Sequence, residues 1–194
     1  MIDDLERVQV TSAEQLRTWF EAHHAQPESI WLVTYKKCRP EKYLPNTEIV
    51  DACVAFGWVD GRRKVLDEER TMQLLAPRKT DKWSQSYQVR YQRLLKEGKM
   101  HSAGLRAVQA AQASGGWEAF REVDALRVPQ DLGEALKKVP PALKHFEAFP
   151  PSARRDILRW IELAKRKETR ARRILETVAK AERNERASGT GAKK

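Results

Sequence analysis

The 194-residue chain is 41% hydrophobic and 33% charged, with a formal net charge of +10; it holds enough apolar mass for a core beneath a well-solvated surface. No apolar run approaches the ~20 residues of a bilayer-spanning helix, and the acidic start "MIDDLERVQV" has no apolar export centre, so a cytoplasmic protein is expected. Cys38 and Cys53 form no CxxC pair, and the adjacent His23 and His24 would point about 100° apart on a helix, so no cofactor, metal site or disulfide is expected.

In chain order, "TSAEQLRTWFEAHH" predicts a helix. Ser12 caps it, Gln15 returns the bond, and Leu16, Trp19, Phe20 and His23 share a face. "SIWLVTYKK" alternates like a strand, and the two prolines of "CRPEKYLPN" make a loop. "NTEIVDACVAFG" predicts a helix capped by Asn46 and closed by Gly57. "WVDGRRKVLD" and "RTMQLLAPR" flank the polar "DEE" as two strands of a hairpin, with a turn or bulge allowed at Asp60-Gly61. A helix entered through Ser84 carries Tyr87, Tyr91 and Leu94 inward and stops at Gly98, and an alanine-rich helix ends at Gly115-Gly116. "WEAFREV" adds a short helical turn. Prolines at 129, 140–141 and 150–151 then divide the chain into short helices. Ser152 opens a longer one burying Ile157, Trp160, Ile161 and Ala164, and Ala171, Ile174, Val178 and Ala181 form a final stripe.

This order predicts an α+β fold: a small antiparallel or mixed sheet packed with helices over residues 1–125, a helical C-terminal module over 126–186, and a disordered tail over 187–194. Residues 137–194 carry 17 Lys and Arg against 7 Asp and Glu, a balance of +10, while residues 1–136 carry 20 of each. All the excess positive charge therefore lies in the C-terminal part, which points to an acidic partner, nucleic acid included. The plainer alternative is a solvated helix surface.

Several phrases together resemble one family. "SAEQLRTWFEAHH", "VDACVAFGWVDGRRKVLDEERTMQLLAPRK", "KWS" and "LLKEGKMHSAGLRAV", followed by "SARRDILRWIELAKRKETRARRI", are similar to the YdeI/OmpD-associated, or bacteriocin-protection, proteins with their OmdA-type helical module. The resemblance runs from about Ser12 to Ala181 and departs after "KWS", where an Asn is expected in place of Ser86-Tyr87. It implies a role in resistance to bacteriocins or antimicrobial peptides, and brings no reaction or ligand with it.

Two basic clusters are candidate sites. In the first, Arg62, Arg78 and Lys82 are gathered by two neighbouring strands with Trp58, Asp60 and Trp83, and Lys36 joins if the first strand lies alongside. Guanidinium forks grip phosphate or carboxylate and an indole offers a stacking face, so this cluster would bind an anionic small molecule. The alternative has both tryptophans in the core and the basic groups on the surface. In the second, Lys165, Arg170 and Arg173 on the last helix would meet an anion or a nucleic acid, although no aromatic residues interleave with them for base stacking. Asp60 is the one candidate acid/base for an enzyme, and a lone carboxylate is weak evidence for catalysis.

Overall fold

The computed structural model describes residues 4–187. The residues expected to be a disordered tail lie outside this range except Ala187, which is buried in the C-terminal core. The described residues form two compact units that divide between Glu118 and Ala119.

The first unit is a mixed four-stranded sheet with helices, as the pattern predicts. Its strands are β1 (Arg7–Gln9), β2 (Ile30–Tyr35), β3 (Trp58–Val65) and β4 (Arg70–Pro77), in the order β1-β2-β4-β3. β1 runs parallel to β2, and the other neighbours are antiparallel. Only β1 is unforeseen: three residues are too short for an alternating pattern to register.

The helices of this unit are α1 (Ala13–His23), α2 (Asn46–Phe56), α3 (Gln85–Lys96) and α4 (Ser102–Ser114). Ser12 Oγ accepts the Gln15 amide N–H, and the Gln15 side chain returns to the backbone of Thr11. Asn46 is the first helical residue of α2 rather than its cap, because Pro45 sets the extended entry and its carbonyl accepts the amides of Glu48 and Ile49. Gly57 closes α2 at φ +74°, a conformation strained for any residue with a Cβ. His23 is exposed and Trp19 half-buried; the inner face of α1 is Leu16 and Phe20.

One face of the sheet packs against α1 and α2 through Leu16, Phe20, Ile30, Leu32, Ile49, Phe56, Trp58 and Leu75. Each such side chain contributes about 1.5–3 kcal/mol of burial. A further layer, α2 against α3 and α4, buries Val54, Trp83, Leu94, Val108 and Ala111. Gly104 lets α4 meet the end of α2, since a Cβ there would lie 2.2 Å from the Ala55 carbonyl oxygen. Two histidines seal the same joint. His24 Nδ1–H donates to the Phe20 carbonyl at the end of α1, and His101 Nδ1 accepts the Ala103 N–H at the start of α4. Their rings lie 4.5 Å apart, edge to face, against Phe56.

The second unit is helical throughout its described residues: α5 (Arg121–Asp124), α6 (Gln130–Lys137), α7 (Pro140–Ala148), α8 (Pro151–Glu162) and α9 (Lys167–Glu182). Pro140 and Pro151 stand in the first turns of α7 and α8, where a missing N–H costs nothing. α8 thus begins one residue before the expected Ser152. Leu132, Leu136, Phe146, Ile157, Leu158, Ile161, Ile174, Val178 and Ala181 form the core; Trp160 and Ala164 are only partly buried, and Ala171 is exposed. Arg170 ties α9 to α6 through a two-pronged pair with Asp131 (2.7 and 3.1 Å) and reaches Glu162 of α8 at 3.4 Å.

Candidate functional site

The β3–β4 pairing has a bulge. Asp60 faces Leu75 and Arg63 faces Gln73, so Gly61 and Arg62 together stand opposite Leu74. The extra residue reverses the alternation beyond it. Arg63 therefore shares the helix-packed face with Asp60, while Arg62 and Lys64 turn to the other face. There their cationic groups lie 5.8 and 5.1 Å from the ring centre of the buried Trp31.

On the helix-packed face the bulge assembles a polar network. Tyr87 of α3 donates its O–H to Asp60 Oδ1, and Gln73 Nε2 donates to Asp60 Oδ2 at 3.0 Å. Gln73 Oε1 accepts from Arg63 Nη2 at 2.8 Å, and the same nitrogen donates to Asn46 Oδ1 at 2.6 Å. These contacts fix the amide orientation of Gln73, since its nitrogen must face the carboxylate. Tyr87, Gln73 and Asn46 were not among the expected site residues. The tyrosine read as the inner face of a helix, and neither amide stands out in a chain without the bulge.

Arg78 follows β4, with its backbone N–H bonded to the Gly57 carbonyl. Its guanidinium lies 4.0 Å from the ring centre of Trp83 and 5.0 Å from that of Tyr87, and its Nη1 donates to the Lys82 carbonyl at 3.2 Å. The connecting loop is held to the end of α4: Trp83 N–H donates to Gly116 O, and Ser114 Oγ–H donates to Asp81 Oδ2. A Cβ on Gly116 would come within 2.4 Å of the Asp81 carbonyl oxygen. Among the described residues Arg78 has no carboxylate within ion-pair distance, and its buried Nε and the buried Trp83 Nε1 have no acceptor. Unmatched buried donors carry a desolvation cost of about 1–3 kcal/mol each.

The electrostatics follow this geometry. Burial pushes the Tyr87 phenol far above its usual range, and the neighbouring Asp60 charge and hydrogen bond add to the shift, so Tyr87 stays a proton donor. Burial likewise raises the Cys53 thiol, reinforced by Asp60 and opposed by Arg78. Burial lowers the Arg78 guanidinium, partly offset by Tyr87, Cys53 and Asp60.

Asp60, Arg78, Trp83 and the Lys82 backbone thus come together. Three other expected members lie elsewhere. Trp58 is dry core, 1% exposed, with its indole N–H on the His24 carbonyl. Arg62 is turned away by the bulge. Lys36 does follow directly on β2, a strand next to the hairpin, but its ammonium caps the β3–β4 turn at the carbonyls of Asp67 and Glu68, about 20 Å along the sheet from Asp60 at ~3.4 Å per residue. Trp83 is 0% exposed and covered by Arg78, Tyr87 and Trp117, so neither indole offers a face for stacking.

In the second unit, Arg170 is taken up by Asp131 and Glu162, and Arg173 donates to the Trp160 carbonyl with its guanidinium 5.1 Å from that residue's ring centre. Lys165 is exposed between α8 and α9. A surface cavity of about 620 Å³ lies between α1, α2 and the α3–α4 connection. Its cations are already matched: Arg17 by Glu21, Arg93 by Asp51 and Glu97, and Lys99 by Glu97. Among the described residues no grouping of His, Cys, Asp and Glu could hold a metal ion, and no helix is long and apolar enough to cross a membrane.

Two family models match the chain. One, described as a domain of unknown function (DUF8412), matches residues 8–107. The other, OmdA, described as "Bacteriocin-protection, YdeI or OmpD-Associated", matches residues 125–184. No curated protein and no solved structure matches. The first model spans more than half of the chain, which therefore belongs to that domain family; the C-terminal unit carries the OmdA domain of the YdeI/OmpD-associated family.

Proposed function

We propose that this member of the YdeI/OmpD-associated family is a cytoplasmic anion-binding protein that acts in resistance to bacteriocins or antimicrobial peptides. The observation that carries the binding role is Arg78: a partly buried guanidinium with no carboxylate within ion-pair distance among the described residues, stacked on Trp83, each with a buried N–H lacking an acceptor there. Buried cations are ordinarily paired. A bound anion would supply the missing charge and accept the free donors. The two unbridged cysteines suit a reducing compartment, and the resistance role rests on the description of the matching family.

The test is a thermal-shift screen of inorganic anions, nucleotides and phosphorylated metabolites. A ligand at 100 times its Kd adds about 2.7 kcal/mol of stability, a shift of several degrees for a domain of this size. The shift is expected to vanish in an Arg78→Ala, Lys82→Ala double variant. A panel that stabilises neither protein, or both equally, overturns the binding role. Loss of bacteriocin or peptide resistance on gene deletion, restored by the wild type and not by the double variant, tests the link to protection.

A further inference from the structure

The groups around Arg78 also state which anion fits. Neither indole has an exposed face, so the ligand is recognised by charge and hydrogen bonding rather than by stacking, which favours a compact oxyanion over a nucleotide base. Among the described residues two cations of this network have no ion pair of their own: Arg78, and the exposed Arg63, which bonds the neutral amides of Asn46 and Gln73 and reaches Asp60 only through Gln73. Asp60 lies beside them. Its hydrogen-bond donors are also neutral, the Tyr87 hydroxyl and the Gln73 amide, and each carboxyl oxygen keeps unused lone pairs. A carboxylate next to an anion site repels any anion that offers only acceptors, and it accepts a hydrogen bond from one that still carries a proton. The phenol cannot relieve the repulsion, since its O–H already points at Asp60.

We propose that Asp60 is the specificity-determining residue of the Arg78 site, and that the site takes a compact oxyanion bearing a hydroxyl group, such as monohydrogen phosphate, in preference to a fully deprotonated one such as sulfate. The ligand's negative oxygens meet Arg78 and the Trp83 indole N–H, and its O–H donates to Asp60. This rests on the anion-binding reading above and adds the selection rule. A buried acceptor that is left facing another acceptor commonly costs one to several orders of magnitude in affinity, so a preference of at least about tenfold is expected.

The experiment is calorimetric titration of the full-length protein at pH 8 with inorganic phosphate, sulfate and methyl phosphate, the last being an ester with no remaining O–H at that pH. The wild type should bind phosphate at least about tenfold more tightly than sulfate or methyl phosphate. Asp60→Asn, which supplies an amide donor in place of one carboxylate oxygen, should bring phosphate and sulfate within about threefold of each other. Arg78→Met should bind none of them. Equal wild-type affinity for phosphate and sulfate, lost in Arg78→Met, overturns the selection rule and leaves the anion site standing. No binding of any of the three overturns the selection rule, and the wider screen then decides the anion site. The wild-type comparison of phosphate with methyl phosphate needs no variant, so the rule stays testable if Asp60→Asn does not fold.

Discussion

Arg78 and Arg170 are both partly buried arginines, one in each unit, and they are used in opposite ways. Arg170 sits in the strongly basic C-terminal segment, residues 137–194, yet its charge is answered by Asp131 and Glu162, and it locks three helices together. Arg78 sits in residues 1–136, whose formal charges balance to zero, yet among the described residues no carboxylate lies within ion-pair distance of it. Net charge along a sequence therefore does not say which cations are matched; the local pairing of each cation does. Much of the basic C-terminal unit is structural: Arg159 pairs with Asp124, Lys180 with Glu176, and Arg173 holds the Trp160 carbonyl.

The comparison can be broken in several ways. The largest effect should come from Gly104→Ala, which forces a Cβ against the Ala55 and Val54 carbonyls and should cost about 3 kcal/mol by denaturant unfolding. It would show that the first unit is held by helix packing and not by the Arg78 corner. A loss below about 1 kcal/mol would mean that α4 can move away from α2 at little cost. Next, Arg170→Met should destabilise the second unit by about 1–2 kcal/mol, because it strands Asp131 and removes a two-pronged pair. Arg78→Met in anion-free buffer should change stability by less than about 1 kcal/mol, since it removes a partly buried cation without an ion pair along with its stacking. If the Arg78 variant falls further than the Arg170 variant, the contrast between the two arginines is wrong.

Smaller effects separate the units by pH. Burial lowers the pKa of His101, reinforced by His24, Arg106 and Arg17 and opposed by Glu21. Protonation at Nδ1 would also remove the acceptor for the Ala103 N–H. The folded state thus binds this proton more weakly than the unfolded state. The His101 contribution is present above the unfolded value of about 6.5 and is lost as pH falls through the lower folded value. The protection of the Ala103 amide, measured against the intrinsic exchange rate at each pH, should therefore fall on mild acidification in the wild type and stay level in His101→Asn, which retains a capping acceptor that does not titrate. In the second unit, the hydrogen bond from Arg170 holds the Asp131 carboxyl below its usual range, so that contribution survives mild acid and is lost only as pH falls below about 4 and through the depressed value. Protection across α6 and α9 that falls at the same pH as that of Ala103 would contradict this order.

The elements were largely legible because their signals are local. Ser12 with Gln15, Gly57, Gly98, Gly115 and the proline pairs act on neighbouring backbone, and apolar spacing marks the inward faces of α1, α3, α8 and α9. The three-residue β1 lacked length for such a signal. The site was half legible. Asp60, Arg78 and Trp83 stood out by residue type, but the same reasoning added Trp58, Arg62 and Lys36. A strand of regular alternation would have put Arg62 beside Asp60, and the bulge put Arg63 there instead.

By itself, the sequence determined the α+β first unit, the helical second unit and the family resemblance, since each depends on periodicity, turn chemistry or phrases that can be read within a short window. Only the tertiary structure decided which cations are free. An arginine looks the same in a sequence whether or not a carboxylate waits for it, and the partner that settles the matter is often dozens of residues away: Asp131 for Arg170, and no carboxylate among the described residues for Arg78.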